Sequence, residues 1–349
     1  MGYIARMQIG VDTFVATAQP GPPGDAQRVQ ELLEEIVLAD QVGLDVFGVG
    51  EHHRPDYVSS APAVLLAAAA ARTKRIRLAS AVTVLSSDDP VRVFQQFATV
   101  DLVSQGRAEI IVGRGSFIES YPLFGFDLDH YEALAAEKLD LLLKVRDQVK
   151  VHWSGQHRAA LTGQGVYPRP VQNPLPVFIG VGGTPESVVR AAKLGLPLIV
   201  AIIGGSPRKF RPLVDLYRQT WQQAGHPAEQ AFVGVHNIGF IADTTADAAE
   251  IFWPAYRDAF GRIGRERGWP APTRGQFDAQ CSQLGALLVG DPEAVAEKIV
   301  QESQWFGGLD RLTVLIDNRL LTHVQIMRAI ELLGTKVAPW VRKELGGAG

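Results

Sequence analysis

Two kinds of apolar pattern alternate along this chain, and their alternation restricts the folds that it can adopt. Short runs rich in β-branched residues are each followed by a segment in which apolar residues recur every three or four positions. The first pattern is typical of buried strands, and the second of helices that cover one face of a sheet. Eight strand-like runs occur in this order, at residues 7–14, 46–49, 76–84, 108–112, 177–181, 198–203, 233–241 and 312–316.

Residues that start and stop helices lie between these runs. Asp25 is predicted to cap the first helix and Gly43 to end it, and Asp89 is predicted to cap the third. A longer helical pattern covers residues 131–151. Because each strand has its helix, we predict one α/β domain over residues 1–349, a (β/α)8 TIM barrel. An open doubly wound sheet is disfavoured because no Gly-rich dinucleotide fingerprint follows the first strand.

Two stretches do not fit a minimal βα unit. Residues 153–176 are rich in Gly, Pro and Gln, and residues 265–290 contain Trp269, Pro270 and Pro272. We predict that both are insertions in the barrel, since long barrel loops usually form lids or subunit contacts.

Composition and charge disfavour several classes of protein. The 34 Lys and Arg residues nearly balance 37 Asp and Glu residues and form no basic block, so we expect no nucleic-acid partner. The longest apolar run, residues 61–71, is too short to cross a bilayer, so we expect no membrane partner. The single cysteine, Cys281, cannot form an internal disulfide, and we expect a small buried side chain in a cytoplasmic protein.

The residues after each strand are informative because barrel enzymes build their active sites there. Glu51, His52 and His53 follow the second strand. Neighbouring side chains at a strand end point in opposite directions, so we expect one histidine, His52, to face a ligand and exchange protons, with Glu51 or Asp56 orienting it. One alternative is a histidine bonded into the packing of the loop. The other is a metal site, which we do not expect because adjacent histidines chelate poorly.

Two further strand ends carry groups suited to an anion. Arg114 follows the fourth strand between glycines, within Gly113–Ser116, and is a candidate anion clamp. After the fifth strand, Gly182 and Gly183 precede Thr184, a predicted helix cap, so that free backbone N–H groups could hold a phosphate. The alternatives are a turn arginine paired with a surface acid and a helix start that binds nothing.

Taken together, these segments are similar to those of the bacterial luciferase-like, flavin-dependent monooxygenases. The resemblance rests on residues 50–53 (GEHH), 77–92 (RLASAVTVLSSDDPVR), 102–115 (LVSQGRAEIIVGRG), 180–187 (GVGGTPES) and 290–299 (GDPEAVAEKI), which keep the order of that family. It covers nearly the whole chain.

The resemblance implies a TIM-like barrel, usually a homodimer, that binds flavin mononucleotide (FMN). Reduced FMN, commonly supplied by a separate flavin reductase, would activate O2 to oxygenate a small-molecule substrate. Residue by residue, His52 matches the catalytic histidine, and Ala81 and Val82 fall where the family has a cis peptide bond beneath the flavin ring. Arg114, Glu186 and Ser187 match the phosphate site, where Gly182, Gly183 and Thr184 would supply backbone donors.

Other activities stay open. Relatives that bind the deazaflavin F420 transfer hydride and have a similar overall pattern. Light-emitting members carry a cysteine before the arginine where this chain has Gly113, so we do not expect bioluminescence. A barrel lyase or aldolase would usually need a Schiff-base lysine or a metal, and these strand ends show no lysine. A flavin-binding protein without turnover is the remaining alternative, and the sequence does not name the substrate.

Overall fold

The computed structural model describes residues 6–115 and 117–346. Its strands, in chain order, are β1 (Gln8–Thr13), β2 (Val46–Val49), β3 (Arg77–Ser80), β4 (Thr83–Val84), β5 (Ala108–Gly113), β6 (Lys150–Trp153), β7 (Leu161–Gly165), β8 (Val177–Val181), β9 (Leu198–Ile202), β10 (Val233–Ile241), β11 (Leu288–Gly290) and β12 (Arg311–Leu315).

The helices alternate with these strands. They are α1 (Pro22–Gln41), α2 (Pro62–Ala70), α3 (Pro90–Ser104), α4 (Ser120–Leu123), α5 (Tyr131–Asp147), α6 (Pro185–Lys193), α7 (Arg211–Gln223), α8 (Thr245–Arg267), α9 (Arg274–Cys281), α10 (Pro292–Trp305), α11 (His323–Leu332) and α12 (Ala338–Gly346). Within the described ranges, no helix has the length and apolar character needed to cross a bilayer.

Eight of the strands form a closed parallel barrel, which confirms the predicted fold. The pairing runs β10, β12, β1, β2, β3, β5, β8 and β9, and β9 pairs with β10 to close the ring. Strand β4 extends the pairing along β5, and β11 extends it along β10. All nine residues of β10 are buried, because helices cover the outside of the barrel and side chains fill its interior.

The beginning of the first helix differs from the prediction. Helix α1 starts at Pro22 with Gly21 at the N-cap position, so the prediction that Asp25 caps it was wrong. A proline is compatible with the first helical position, and Asp25 accepts a hydrogen bond from the Gly21 N–H at 3.2 Å. The predicted cap at Asp89 is confirmed, since its side chain accepts from the N–H groups of Val91 and Arg92.

The helix predicted over residues 131–151 was wrong at its end. Helix α5 stops at Asp147, and Lys150–Trp153 forms strand β6, which pairs antiparallel with β7 in the insertion predicted at 153–176. Residues in β6 alternate between exposed and buried, which is the two-residue period of a strand. Val151 in β6 continued the apolar pattern of the helix, so the sequence did not show where α5 ends and β6 begins.

The insertion predicted at 265–290 is shorter than expected at both ends. Helix α8 continues to Arg267, and residues 288–290 form strand β11. Cys281, expected to be buried, is half-buried at the end of α9. Burial raises the pKa of its thiol to about 12, so the thiol stays protonated near neutral pH.

A buried cluster of charges closes the barrel at the amino ends of its strands. The Arg311 guanidinium donates to both carboxylate oxygens of Glu109, at 2.7 and 3.1 Å, and its Nε donates to Gln8 at 2.7 Å. Arg77 forms a second ion pair with Glu109. Arg311 and Glu109 are almost entirely buried. The opposite end of the barrel, where the strands finish, is therefore the end that is left open.

Candidate functional site

A cleft of about 300 Å³ opens at the carboxyl ends of the barrel strands. Its lining comes from β1, the loop after β2, the break between β3 and β4, strands β5, β8, β9 and β10, and the starts of α5 and α6. Of the residues predicted for the site, the lining includes His52, Ala81, Val82, Arg114, Gly182, Thr184 and Ser187. Gly183 and Glu186 are exposed beside the cleft and lie outside its lining.

His52 lies among aromatic rings in the wall of the cleft. Its ring meets Phe14 edge to face at a centroid distance of 4.6 Å, and Tyr57 and Phe117 lie at 4.5 and 5.4 Å. Its Nε2 is buried and has no hydrogen-bond partner among the described residues. Burial lowers the pKa of His52 to about 3, so the imidazole is neutral near pH 7 and presents an unused polar atom.

Glu51 does not orient His52, contrary to the prediction. One carboxylate oxygen of Glu51 lies 3.0 Å from His53 Nε2, and the other accepts from the Val84 N–H at 2.9 Å. Glu51 therefore ties the loop after β2 to β4.

The expected opposition of the two histidines is observed, since His52 faces the cleft and the His53 ring packs on Phe124 at 5.1 Å. Asp56, the other predicted partner of His52, pairs instead with Arg262 and Arg54.

The predicted strand at residues 76–84 is interrupted inside the cleft. The peptide bond between Ala81 and Val82 is cis, as the resemblance implied. Glycines on two neighbouring strands make room for the Val82 side chain. A Cβ on Gly113 would lie 2.6 Å from Val82 Cγ2, and one on Gly180 would lie 3.0 Å from Val82 Cγ1. A side chain at position 113 would therefore collide with Val82 unless Val82 moved.

Arg114 joins the cleft to the start of helix α6. It donates to Thr184 Oγ1 at 2.9 Å, forms an ion pair with the exposed Glu132 and lies over the Tyr131 ring at 4.9 Å. Arg114 therefore has features of both sequence predictions, because it lines the cleft, as an anion clamp would, and also pairs with a surface acid. Ser116, the last residue of the glycine-flanked motif, lies outside the described residues.

The start of helix α6 is open to solvent and to the cleft. Thr184 occupies the N-cap position, as predicted, but its hydroxyl does not cap the helix and accepts from Arg114 instead. A Cβ on Gly182 or Gly183 would meet no atom within 4 Å, and Gly183 has a φ of +128°. Uncapped N–H groups, little steric bulk and a nearby guanidinium are what a phosphate requires.

The residues of the cleft that sequence reasoning missed include Asp12 on β1 and His236 on β10. The Asp12 carboxylate lies 2.6 Å from His236 Nδ1 and also accepts a hydrogen bond from the hydroxyl of Thr313. The signal available was a titratable side chain inside each buried, largely apolar strand. Their partnership depends on closure of the barrel, because the two residues are 224 positions apart.

A second chamber, of about 280 Å³, adjoins the cleft. Phe14, Ile203 and His236 line both spaces and so form the wall between them. Most of the remaining lining is apolar or aromatic and comes from β10, α8 and residues just beyond α8, including Ile238, Phe252, Tyr256, Phe260 and Trp269. Across the described ranges, no group of three or more His, Cys, Asp or Glu residues could hold a metal ion.

Comparison with known proteins agrees with this geometry. The family model described as luciferase-like monooxygenase matches residues 7–307. The chain belongs to the luciferase-like monooxygenase family. It is 26% identical to 4-hydroxyprotoasukamycin monooxygenase of Streptomyces nodosus subsp. asukaensis over 361 residues, which cover 97% of this chain and 94% of that protein. It is also 26% identical over 354 residues to the uncharacterized protein y4vJ of Sinorhizobium fredii, covering 96% and 98%.

Solved structures of this fold include three that cover nearly the whole luciferase-like chain. Monooxygenase RslO1 from Streptomyces bottropensis superposes with a TM-score of 0.84 at 23% identity, covering 95% of this chain and 99% of that one. The oxygenating constituent of 3,6-diketocamphane monooxygenase from Pseudomonas putida, in complex with FMN, has a TM-score of 0.78 at 19% identity, covering 96% and 98%. The F420-dependent tetrahydromethanopterin reductase of Methanopyrus kandleri has a TM-score of 0.72 at 16% identity, covering 96% of this chain and 99% of that one.

Proposed function

We propose that this luciferase-like protein binds reduced FMN in the cleft and uses it with O2 to oxygenate a small organic substrate. The observation that carries the proposal is the uncapped start of α6 beside Arg114 and open glycines, at one side of the cleft. The names of its relatives support an oxygenation reaction, and one solved structure of the same fold is a complex with FMN.

The residues of the cleft fit a phosphorylated planar cofactor. Arg114, Gly182, Thr184 and Ser187 would hold the phosphate, with Gly183 and Glu186 at the same helix start. Ala81 and Val82 would face the ring system across the cleft. Bound reduced flavin would supply the electrons that activate O2.

His52 is the proposed catalytic residue. Because burial lowers its pKa to about 3, the imidazole stays neutral and offers one N–H and one lone pair to groups in the cleft. The unpartnered Nε2 is the atom placed to hold or pass a proton. The rings of Phe14 and Tyr57 pack on His52 and exclude water from it.

A second candidate function is hydride transfer from reduced F420. It is favoured by F420-dependent enzymes among the proteins of the same fold, which include the tetrahydromethanopterin reductase. We further propose that a separate reductase supplies the reduced flavin, that the protein is a homodimer and that it acts in the cytoplasm. These three points rest on the sequence resemblance and on the single cysteine.

An anaerobic titration tests the cofactor. Purified protein is titrated with photoreduced FMN and, separately, with reduced F420, and binding is followed by absorbance. We expect saturable binding of FMN and at least tenfold weaker binding in R114A, because the loss of a charge-assisted hydrogen bond to phosphate costs about 1.5–3 kcal/mol. R146A is the matched control, since Arg146 pairs with its neighbour Asp147 on the surface.

Three results would contradict parts of the proposal. Binding of F420 alone would assign hydride transfer to the cleft. Binding of neither cofactor would remove the flavin from it. An unchanged dissociation constant in R114A would remove Arg114 from the phosphate site.

A further inference from the structure

His236 lies in the wall between the cleft and the apolar chamber. Its ring is stacked on Phe14, with an interplanar angle of 19° and a centroid distance of 6.3 Å. The side chain is largely buried but not sealed, with 11% of its surface accessible. A group on either side of the wall can therefore reach this histidine.

The carboxylate of Asp12 fixes the tautomer of His236. Asp12 Oδ2 lies 2.6 Å from His236 Nδ1, and a carboxylate accepts, so Nδ1 carries the proton and Nε2 carries the lone pair of the neutral ring. A histidine backed in this way by a buried carboxylate is the arrangement that enzymes use to make a base, because the carboxylate stabilises the imidazolium that forms.

The surroundings of Asp12 hold the carboxylate in place. The Thr313 hydroxyl donates to the same oxygen that His236 contacts, and Asp12 is only 3% exposed. On the neighbouring strand, a Cβ on Gly48 would overlap Asp12 Oδ1 and lie 2.8 Å from Ala81 Cβ. The absence of a side chain at position 48 is thus what admits the carboxylate to the barrel interior.

The other polar groups of the chamber are committed elsewhere or hold their protons. Asp317 accepts from the Phe14 N–H at 2.7 Å and from the Ala16 N–H at 3.2 Å, and Arg262 pairs with Asp56 and Asp258. Arg267 lies over the Trp269 ring at 5.1 Å. Burial raises the pKa of Tyr57 to about 12 and also raises that of Tyr256, so neither phenol is a base near pH 7.

The titratable groups on the cleft side are also accounted for, and burial raises the pKa of Tyr131 to about 12, so its phenol is not a base near pH 7. Glu51 pairs with His53 and accepts from the Val84 N–H, and Arg114 pairs with Glu132. His52 binds protons poorly because burial lowers its pKa to about 3. Of the titratable groups that line both spaces, His236 is therefore the one whose geometry suits it to accept a proton from a bound molecule, since a carboxylate lies behind its Nδ1.

We propose that the chamber binds an apolar, ring-bearing molecule with one acidic hydroxyl, a phenol in chemical class, and that His236 Nε2 accepts the proton of this hydroxyl. The O–H bond of the bound molecule breaks, an N–H bond forms on Nε2, and Asp12 stabilises the resulting imidazolium. The molecule is left as its electron-rich phenolate beside the cleft. This inference rests on the proposed function in taking that molecule as the one to be oxygenated.

The size and lining of the chamber carry the choice of molecule. At about 280 Å³ it lies near the lower end of ligand pockets, which run from about 300 to 1,000 Å³. Aromatic side chains such as Phe252 and Phe260 stack on ring systems. An aliphatic alcohol would fit the same walls, but its hydroxyl is far too weak an acid for a histidine to deprotonate.

A chromophoric phenol tests the proposal without any turnover. The probe is 4-nitrophenol, whose phenolate absorbs at longer wavelength than the neutral form. Protein with saturating oxidised FMN, and protein alone, are titrated with the probe between about pH 5 and pH 9. We expect bound probe to ionise at a pH at least one unit below that of free probe, which corresponds to a tenfold preference for the ionised form in the site.

Three variants and a control separate the parts of the proposal. In H236Q the probe should still bind but should ionise at the same pH as free probe. In D12N the downward shift of the ionisation pH should be smaller than in the wild type. A259F narrows the chamber from the α8 side and should weaken binding at least tenfold. H152Q, a change at an exposed histidine on β6, should match the wild type. Thermal melting of each variant verifies that it is folded. If D12N does not fold, H236Q alone tests the proposed base.

The outcomes that overturn the proposal are distinct from failure of the flavin assignment. Probe bound in its neutral form by the wild type, or an unchanged ionisation pH in H236Q, would remove the base. Equal affinity in A259F would place the probe outside the chamber. The 4-nitrophenol titration is also run without FMN. Its result is therefore independent of whether the protein binds FMN, and failure of one proposal can be told apart from failure of the other.

Discussion

At the scale of single residues, both histidines of the site are buried, and their neighbours distinguish them. His52 is surrounded by rings and has no described partner, whereas His236 has a carboxylate behind it. The two roles proposed for these histidines differ for this reason, because a charged imidazole is poorly tolerated among the rings that surround His52. The sequence identified the first of these histidines by its place after a strand. It gave no reason to select the second.

Replacement of His52 by Ala should leave FMN binding nearly intact and reduce turnover by about two to four orders of magnitude, the usual range for a group that moves a proton. Steady-state kinetics with a separately measured FMN dissociation constant check this. Turnover equal to that of the wild type would exclude a catalytic part for His52.

Burial of His52 also predicts an acid sensitivity. Its pKa is about 3 in the folded protein against 6.5 as the reference value, so the unfolded chain takes up the proton first and stability falls as pH drops below about 6.5. Between pH 7 and pH 5, the free energy of unfolding should therefore fall by about 2 kcal/mol less in H52Q than in the wild type. Urea unfolding at both pH values measures it, with H152Q as control. An equal loss in H52Q would contradict the prediction.

Gly48→Ala should destabilise the protein and disturb the His236–Asp12 pair together. The new Cβ would overlap a hydrogen-bonded carboxylate and crowd Ala81, which costs roughly 1–3 kcal/mol. Gly275→Ala is the control, because a Cβ there meets no atom within 4 Å. Denaturant midpoints of the two variants provide the comparison, and equal midpoints would show that the carboxylate has room to move.

At the scale of elements, ion pairs join the strands at the amino end of the barrel, and the cleft opens at its carboxyl end. The buried cluster of Arg311, Glu109, Arg77 and Gln8 joins β12, β5, β3 and β1. Burial alone would raise the pKa of Glu109, but the guanidiniums of Arg311 and Arg77 lower it to about 2. The cluster thus fixes strands whose opposite ends carry Asp12, the cis peptide and Arg114.

Glu109→Gln should cost about 3–5 kcal/mol of unfolding free energy, since it leaves buried guanidiniums without a compensating charge. The stabilisation by Glu109 is present above the reference pKa of 4.5 and is lost as pH falls toward about 2. The difference between wild type and variant should therefore shrink in acid. Urea unfolding at pH 7 and pH 3 tests this, with Glu297→Gln on exposed α10 surface as control. A constant difference would contradict the assigned charge.

At the scale of the whole molecule, exposed apolar side chains mark a face on two neighbouring helices. Val64 on α2 is 64% exposed, and Leu102 and Val103 on α3 are 44% and 47% exposed. Helices α2 and α3 pack on each other, so a partner that covers both helices would bury these side chains. Apolar surface of this kind is often covered by another subunit.

We accordingly expect a homodimer with a mass about twice the 37.9 kDa of the chain. Val64→Glu should shift the protein toward the monomer, because a carboxylate would be buried in the contact. Light scattering after size-exclusion chromatography measures the mass. Val324→Glu, at a 77% exposed position on α11, is the matched control. A wild-type monomer, or a dimer unaffected by Val64→Glu, would contradict this assignment of the interface.

The sequence by itself determined the order of strands and helices, and with it the barrel. Apolar period and capping residues are local properties, which is why the strand ends with Glu51, His52 and Arg114 could be placed at one mouth. Local pattern failed where it was short, as at β6, whose four residues resembled the end of a helix.

Tertiary structure alone decided how the residues of the mouth pair. The pairing order of the barrel strands brings Asp12 to His236, Glu51 to Val84 and Arg114 to Thr184, across separations of 224, 33 and 70 positions. Hydrogen bonds depend on distances of about 3 Å, and no pattern along the chain encodes such a distance between remote strands. The sequence therefore determines which groups lie at the carboxyl ends of the strands, and packing determines which of them have a lone pair without a hydrogen-bond partner.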